Sequence, residues 1–139
     1  MDEMMGISKV VPWEVDCIDD SKGAPWTEIV DEDYHVKIFR DIYPVTEGHL
    51  LFVPKYNTFG VLNDAFSSAI RHGERKLLEG EWDGFNIGIN IGEAAGQTCT
   101  WPHVHLIPRR KGDMADPRGG VRHVIPERGN YKLWPKDTD

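Results

Sequence analysis

The chain has 139 residues, 40% of them hydrophobic, and a formal net charge of −7 at neutral pH. This length predicts one domain with a single core, and the acidic balance excludes general binding to nucleic acid, which requires a basic surface. No apolar run reaches the 18 residues of a membrane span, and the acidic start "MDEMMGISKV" is unlike a signal peptide. Cys17 and Cys99 are too few for a disulfide framework. We therefore expect a cytoplasmic protein that binds neither nucleic acid nor membrane.

The first half of the chain predicts two strands and one long helix. Residues 1–34, with ten acidic and two basic side chains, read as irregular. "HVKIFR" (35–40) alternates like a strand, and "GHLLFVPK" (48–55) reads as a buried strand that pairs with it in an antiparallel manner. "LNDAFSSAIRHGERKLLEGEW" follows as a helix, with Asn63 as its N-cap and Gly80 as its C-terminal stop. Gly73 within this helix weakens it by ~1 kcal/mol relative to Ala.

The second half predicts a hairpin. "FNIGINIG" (85–92) places its apolar residues on one face and its Asn and Gly residues on the other. The short loop "GEAAGQT" leads into "CTWPHVHLIPR", so Asn90 should lie near His103 and His105 if both histidines share a strand face. The C-terminal stretch carries seven basic and three acidic residues over 109–132, with one short strand at "VRHVIP". This local basic charge fits a small anionic ligand or a solvated loop.

The pair His103 and His105 has three interpretations. The two imidazoles can hold a metal ion, although zinc needs further ligands. They can form a catalytic pair in which one ring is the nucleophile and the other handles a proton or polarises the substrate. They can also be hydrogen-bonded structure. The adjacent glycine-rich loop with Gln97 and Thr98 resembles an anion-binding nest of backbone amides, which favours a phosphate site with a histidine nucleophile.

"GQTCTWPHVHLIPRRKGD" resembles the signature of the histidine triad (HIT) family of nucleotide hydrolases and transferases. In that signature three histidines alternate with apolar residues, and Gln-Ser/Thr precedes them. The resemblance includes "DGFNIGINIGEAAGQT", "GHLLFVPK" and "DIYP", and it covers roughly residues 17–131. "DPRGGVRHVIPERGNY" is similar to the tail of a bacterial or phage-type branch.

The resemblance implies the roles of individual residues. His103 matches the histidine that attacks the α-phosphate, and His105 matches the one that contacts the phosphate and assists proton transfer at the leaving group. Gln97 completes the catalytic set. The residues implied to bind the nucleotide and its phosphates are Asn90, Gly96, Thr98, Asp41, Ile42, Phe39 and Phe52. Two roles stay open for Arg118, Arg122 and Arg128, which either bind a polyphosphate tail or only lie on the surface. Trp134 is a candidate to reach a partner subunit's pocket.

Trp101 stands where the family has its first histidine. In family members that bind structural zinc, the ligand positions match Glu14, Cys17, Asn57 and Trp101 here, so the resemblance implies no metal and no other cofactor. We expect Trp101 to fill the volume and its indole N–H to find a hydrogen-bond partner.

The resemblance implies one HIT-like α+β domain over 1–139, with an irregular segment at about 1–16 and a tail at about 112–139. Its expected fold is a five-stranded, mostly antiparallel sheet with one main helix and a short additional helix, in a homodimer. The implied activity is hydrolysis at the α-phosphate of a dinucleoside polyphosphate or a nucleoside phosphoramidate through a nucleotidyl-histidine. A catalytically weak nucleotide sensor, a nucleotidyltransferase and a metal-binding sheet protein are the alternatives.

Overall fold

A computed structural model describes residues 26–56 and 58–133 of the chain. Five strands and one α-helix follow each other in the order β1 (Trp26–Glu32), β2 (Val36–Asp41), β3 (Leu50–Pro54), α1 (Phe59–Leu78), β4 (Gly84–Ile89) and β5 (Val104–Arg109). Short 3-10 helices cover Glu93–Ala95, Gly120–Val124, Pro126–Arg128 and Tyr131–Leu133. No helix within the described residues is both long enough and apolar enough to cross a bilayer.

The strands form one antiparallel sheet in the order β1-β2-β3-β5-β4. This confirms the α+β class, the pairing of β2 with β3 and the hairpin of β4 and β5. Two interpretations of the sequence are wrong. Part of the segment that reads as irregular forms β1, and the stretch "VRHVIP" lies in 3-10 helices rather than in a strand.

The sheet has one apolar face, which α1 covers. Alternation along each strand turns every second side chain towards the helix, and these residues form the core. The core includes Val36, Ile38, Leu50, Phe52, Val104 and Leu106, and the β4 side chains Phe85, Ile87 and Ile89 pack against it. The opposite face therefore receives the other set from each strand, which includes His105 of β5 and its neighbour Gly88 of β4.

Local signals fix the two ends of α1. The helix begins earlier than the sequence predicts, because Thr58 rather than Asn63 is the N-cap and its hydroxyl accepts the amide hydrogen of Val61 at 3.2 Å. Its C-terminal end follows the prediction. Gly80 has φ +77° and donates to Leu77, and Glu81 donates to Lys76, which is a Schellman motif.

Gly73 lies where α1 touches the sheet. A Cβ at this position would lie 2.7 to 2.9 Å from three ring atoms of Phe85. The glycine thus lowers helix propensity but permits the close approach of the helix to β4, which explains a residue that the sequence pattern alone disfavours.

Candidate active site

His103 and His105 lie together on the sheet face opposite α1, as predicted. Their ring centroids are 5.2 Å apart, and both side chains are partly buried. Val104 between them points into the core. The two imidazoles therefore share one partly solvated surface.

A third imidazole, which the sequence analysis did not identify, completes the cluster. His49 immediately precedes β3 and is only 3% exposed. Its Nε2 lies 3.0 Å from Nδ1 of His105, because β3 pairs with β5 in a register that sets Leu51 opposite His105. Alternation in "GHLLFVPK" was the available signal, since it places His49 on the face away from Leu50 and Phe52.

A backbone carbonyl fixes the tautomer of His103. Nδ1 of His103 lies 3.0 Å from the carbonyl oxygen of Trp101. A carbonyl oxygen can only accept, so Nδ1 carries the hydrogen and Nε2 carries the lone pair. Burial lowers the pKa of His103 below its ordinary value, although the carbonyl of Trp101 and the charge of Asp41 oppose this shift. At neutral pH the ring is therefore uncharged, with its lone pair on Nε2.

A backbone amide fixes the tautomers of the other two rings. The amide of Val45 donates to Nδ1 of His49 at 3.0 Å, so the hydrogen of His49 lies on Nε2. That N–H points at Nδ1 of His105, which must accept and so leaves the hydrogen of His105 on its Nε2. Burial, with additional repulsion from His103 and His49, lowers the pKa of His105 to about 4. His105 is therefore an uncharged hydrogen-bond donor at neutral pH.

Asp41 lies behind the imidazoles and is 8% exposed. One carboxylate oxygen accepts the amide hydrogen of Tyr43 at 2.7 Å, and the other lies 3.3 Å from Nε2 of His49 and 3.8 Å from Nδ1 of His105. Burial lowers the pKa of His49, while the negative charge of Asp41 opposes this shift and His103 adds to it. The residue implied to grip a ribose is thus also part of the histidine network.

The donor atoms of Asp41, His49 and His105 all lie within 4.8 Å of one another, which raises the question of a metal ion. A ligating imidazole nitrogen must offer a lone pair, but Nε2 of His49 carries a hydrogen. Moving this hydrogen to Nδ1 would set it against the amide hydrogen of Val45. The group does not fit a metal ion in this arrangement, and hydrogen bonding accounts for its short distances.

Trp101 is the residue that the resemblance sets at the position of the first triad histidine. It is 5% exposed, and its indole N–H donates to the carbonyl of Pro54 at 2.9 Å, which confirms the expected partner. Its own carbonyl is the group that orients His103. The other positions of the family's zinc site, Glu14, Cys17 and Asn57, lie outside the described residues.

The glycine-rich loop is braced from within. The side chain of Gln97 accepts the amide hydrogen of Gly92 at 2.7 Å and donates to the carbonyl of Cys99 at 3.1 Å. The amide of Gln97 donates to Gly92, and that of Gly96 donates to Glu93. The picture of a nest with open amides is therefore wrong for Gly96 and Gln97, whose N–H groups close the turn. Thr98 is exposed.

The other implied residues divide between the two faces of the sheet. The pairing of β4 with β5 ends at Ile89 and Val104, so His103 and the exposed Asn90 each lie one residue beyond the paired strands. Phe39 is 8% exposed on the histidine face, and Ile42 is 49% exposed beyond β2. Phe52 cannot flank a base, because it is fully buried in the core beneath α1.

The arginines of the C-terminal segment make contacts within that segment. Arg118 pairs with Asp116 at 3.0 Å, and Arg122 donates to the carbonyls of Arg128 and Gly129 at 3.1 and 3.2 Å. Trp134 lies outside the described residues.

Comparison with known proteins agrees with this fold. The model of the HIT domain matches residues 24–112. The chain belongs to the HIT family. It is 40% identical over 92 residues to an uncharacterised HIT-like protein of Methanocaldococcus jannaschii, covering 62% of this chain and 71% of that protein. The crystal structure of a zinc-bound histidine triad family protein from Mycobacterium smegmatis is 34% identical, with a TM-score of 0.55 and coverage of 72% and 77%.

Two yeast relatives carry the names of enzymes. The asymmetrical bis(5'-nucleosyl)-tetraphosphatase of Schizosaccharomyces pombe is 34% identical over 87 residues, covering 56% of this chain and 47% of that protein. The adenosine 5'-monophosphoramidase of Saccharomyces cerevisiae is 33% identical over 75 residues, covering 52% and 48%. The chain spans about half the length of each of these two proteins. Their names show that the HIT family includes hydrolases among its members.

Proposed function

We propose that the protein is a nucleotide hydrolase that cleaves at the α-phosphate through a covalent nucleotidyl-His103 intermediate. The observation that carries the proposal is the bond from Nδ1 of His103 to the carbonyl of Trp101, which leaves the lone pair on Nε2. A neighbouring imidazole with its hydrogen on Nε2 supplies a donor for the oxygen on which charge develops.

The reaction proceeds in two displacements. Nε2 of His103 attacks the α-phosphorus, an N–P bond forms, and the bond to the leaving group breaks with its electron pair on the departing atom. Water then attacks the same phosphorus, the N–P bond breaks with its electron pair returning to Nε2, and the surplus proton passes to solvent. Asn90 and Thr98 are both exposed, and they are the side chains that we assign to the phosphate oxygens.

The substrate classes are dinucleoside polyphosphates and nucleoside phosphoramidates. The names of the two yeast relatives support both classes. We assign Phe39 and Ile42 to the base and Asp41 to the ribose, which brings the sugar to the edge of the histidine network.

The test is single-turnover hydrolysis of diadenosine tetraphosphate and of adenosine 5'-phosphoramidate by the wild type and by His103→Ala. We expect the variant to lose activity by at least about 10²-fold while it still binds AMP, since nucleophile and phosphate site are separate. Mass spectrometry of the quenched wild type should show one added AMP on His103. Equal rates for the two proteins would overturn the mechanism, and AMP binding without turnover would favour the sensor.

We also propose a homodimer. β4 is an edge of the sheet among the described strands, and its six residues are all partly buried, so a second copy can pair with it. Sedimentation at micromolar concentration should give twice the mass of 15.8 kDa, and a monomer would contradict the proposal. We further propose that the protein is cytoplasmic. We also propose that it binds no zinc, which metal analysis of the purified chain tests.

A further inference from the structure

The hydrogen-bond chain from Val45 through His49 to His105 has a consequence for the leaving group. Because Nδ1 of His49 accepts from a backbone amide, His49 cannot become an imidazolium without breaking that bond. The Nε2–H of His49 points at Nδ1 of His105, and these two nitrogens are 3.0 Å apart. If His105 gained a second hydrogen, on its Nδ1, two donors would therefore face each other. His105 is thus held in one uncharged form by a residue that is 3% exposed.

We propose that His49 is a positioning residue that keeps His105 as an uncharged Nε2–H donor, and that the site therefore favours leaving groups that depart as anions over amines. This inference rests on the proposed nucleotidyl transfer to His103. A departing phosphate or phenolate oxygen keeps the electron pair of the broken P–O bond and needs only a hydrogen bond. A departing amine needs a proton on its nitrogen, and an uncharged imidazole that gave up its hydrogen would become a partly buried anion.

The charges around His105 support this assignment. The titratable groups that face it are His49 from the start of β3, Asp41 from the end of β2 and His103 from its own strand segment. Asp41 is the one negative charge among these, and its nearer oxygen lies 3.8 Å from Nδ1 of His105 but 3.3 Å from Nε2 of His49. Removal of His49 would let Nδ1 of His105 take a proton and pair with Asp41.

The experiment compares two AMP derivatives, the p-nitrophenyl ester and the phosphoramidate, for wild type, His49→Phe and His49→Gln between pH 5 and pH 8. At pH 6 we expect His49→Phe to raise the ratio of kcat for the phosphoramidate to kcat for the p-nitrophenyl ester by at least about tenfold. This is part of the rate enhancement that a general acid contributes. His49→Gln, whose side-chain amide can donate from the place of Nε2, should keep the wild-type ratio. His35→Phe, which removes a histidine at the β1–β2 turn, is the matched control and should also keep it.

A second measurement does not depend on activity. Imidazole 15N NMR of the full chain should report hydrogen on Nε2 of His105 in the wild type at pH 7, and hydrogen on both nitrogens or an altered tautomer in His49→Phe. An unchanged ratio in a folded His49→Phe, or hydrogen on Nδ1 of His105 in the wild type, would overturn the inference. Cleavage of neither derivative by the wild type would instead overturn the proposed function, and the NMR result would still decide the role of His49.

Discussion

Lowering the pH should destabilise the fold through the histidines of the candidate active site, and the size of this effect can be calculated for His105. Its pKa falls from 6.5 to about 4 on folding. Between pH 6.5 and pH 4, His105 binds a proton in the unfolded chain but not in the native one. Its contribution to stability is therefore fully present above pH 6.5 and is lost as the pH falls towards 4. The loss from this residue is about 2 kcal/mol at pH 5 and about 3 kcal/mol at pH 4, out of the 5–15 kcal/mol typical of a domain.

The assay is urea unfolding of the wild type and His105→Asn at pH 8, 6.5 and 5, followed by circular dichroism. The asparagine oxygen can take the place of Nδ1 as acceptor for His49, so the difference at pH 8 measures lost packing alone. The wild type should then lose about 2 kcal/mol more than the variant between pH 8 and pH 5. Two parallel stability curves would refute the reasoning, because they would mean that His105 binds its proton equally well in the folded and unfolded chain.

Three further substitutions test the fold and the histidine face. Gly73→Ala should destabilise the protein in urea unfolding, because overpacking against the Phe85 ring costs about 1–3 kcal/mol and outweighs a gain in helix propensity of about 1 kcal/mol; a more stable variant would contradict the packing. Thr58→Ala should cost about 1 kcal/mol in the same assay, since it removes the N-cap acceptor. Gly88→Val should leave the unfolding free energy near that of the wild type, as its Cβ meets nothing within 4 Å, yet raise KM because the side chain stands opposite His105; an unchanged KM would place the nucleotide elsewhere.

Periodicity predicted most of the fold because the core depends on it. The alternation in "FNIGINIG" is sufficient to place Phe85, Ile87 and Ile89 under α1. The strand β1 was missed because "WTEIVDE" is acidic, and its residues from Glu28 onwards are exposed, so burial leaves no pattern in the sequence. Hydrogen bonding to β2 holds this edge strand, and such bonds leave no side-chain signature.

The site was predicted in part for a comparable reason. His103 and His105 are one residue apart, so a strand alone brings them together. His49 is separated from His105 by 56 residues, and its contact depends on the register of β3 against β5. Phe52 was misassigned because the resemblance names positions rather than faces. The alternation that points His49 at the site also points Phe52 into the core.

In the proposed mechanism, Trp101 can stand at the first triad position without disturbing His103, because the group that orients His103 is a backbone carbonyl. Any residue at position 101 supplies that carbonyl, provided that its side chain holds the segment in place. Trp101 does so by burying its ring and donating from its indole to Pro54. The protonation pattern of the cluster is set in the same way, by the amide of Val45. Backbone groups therefore fix the tautomers of both rings, so the identity of residue 101 can change while these tautomers persist.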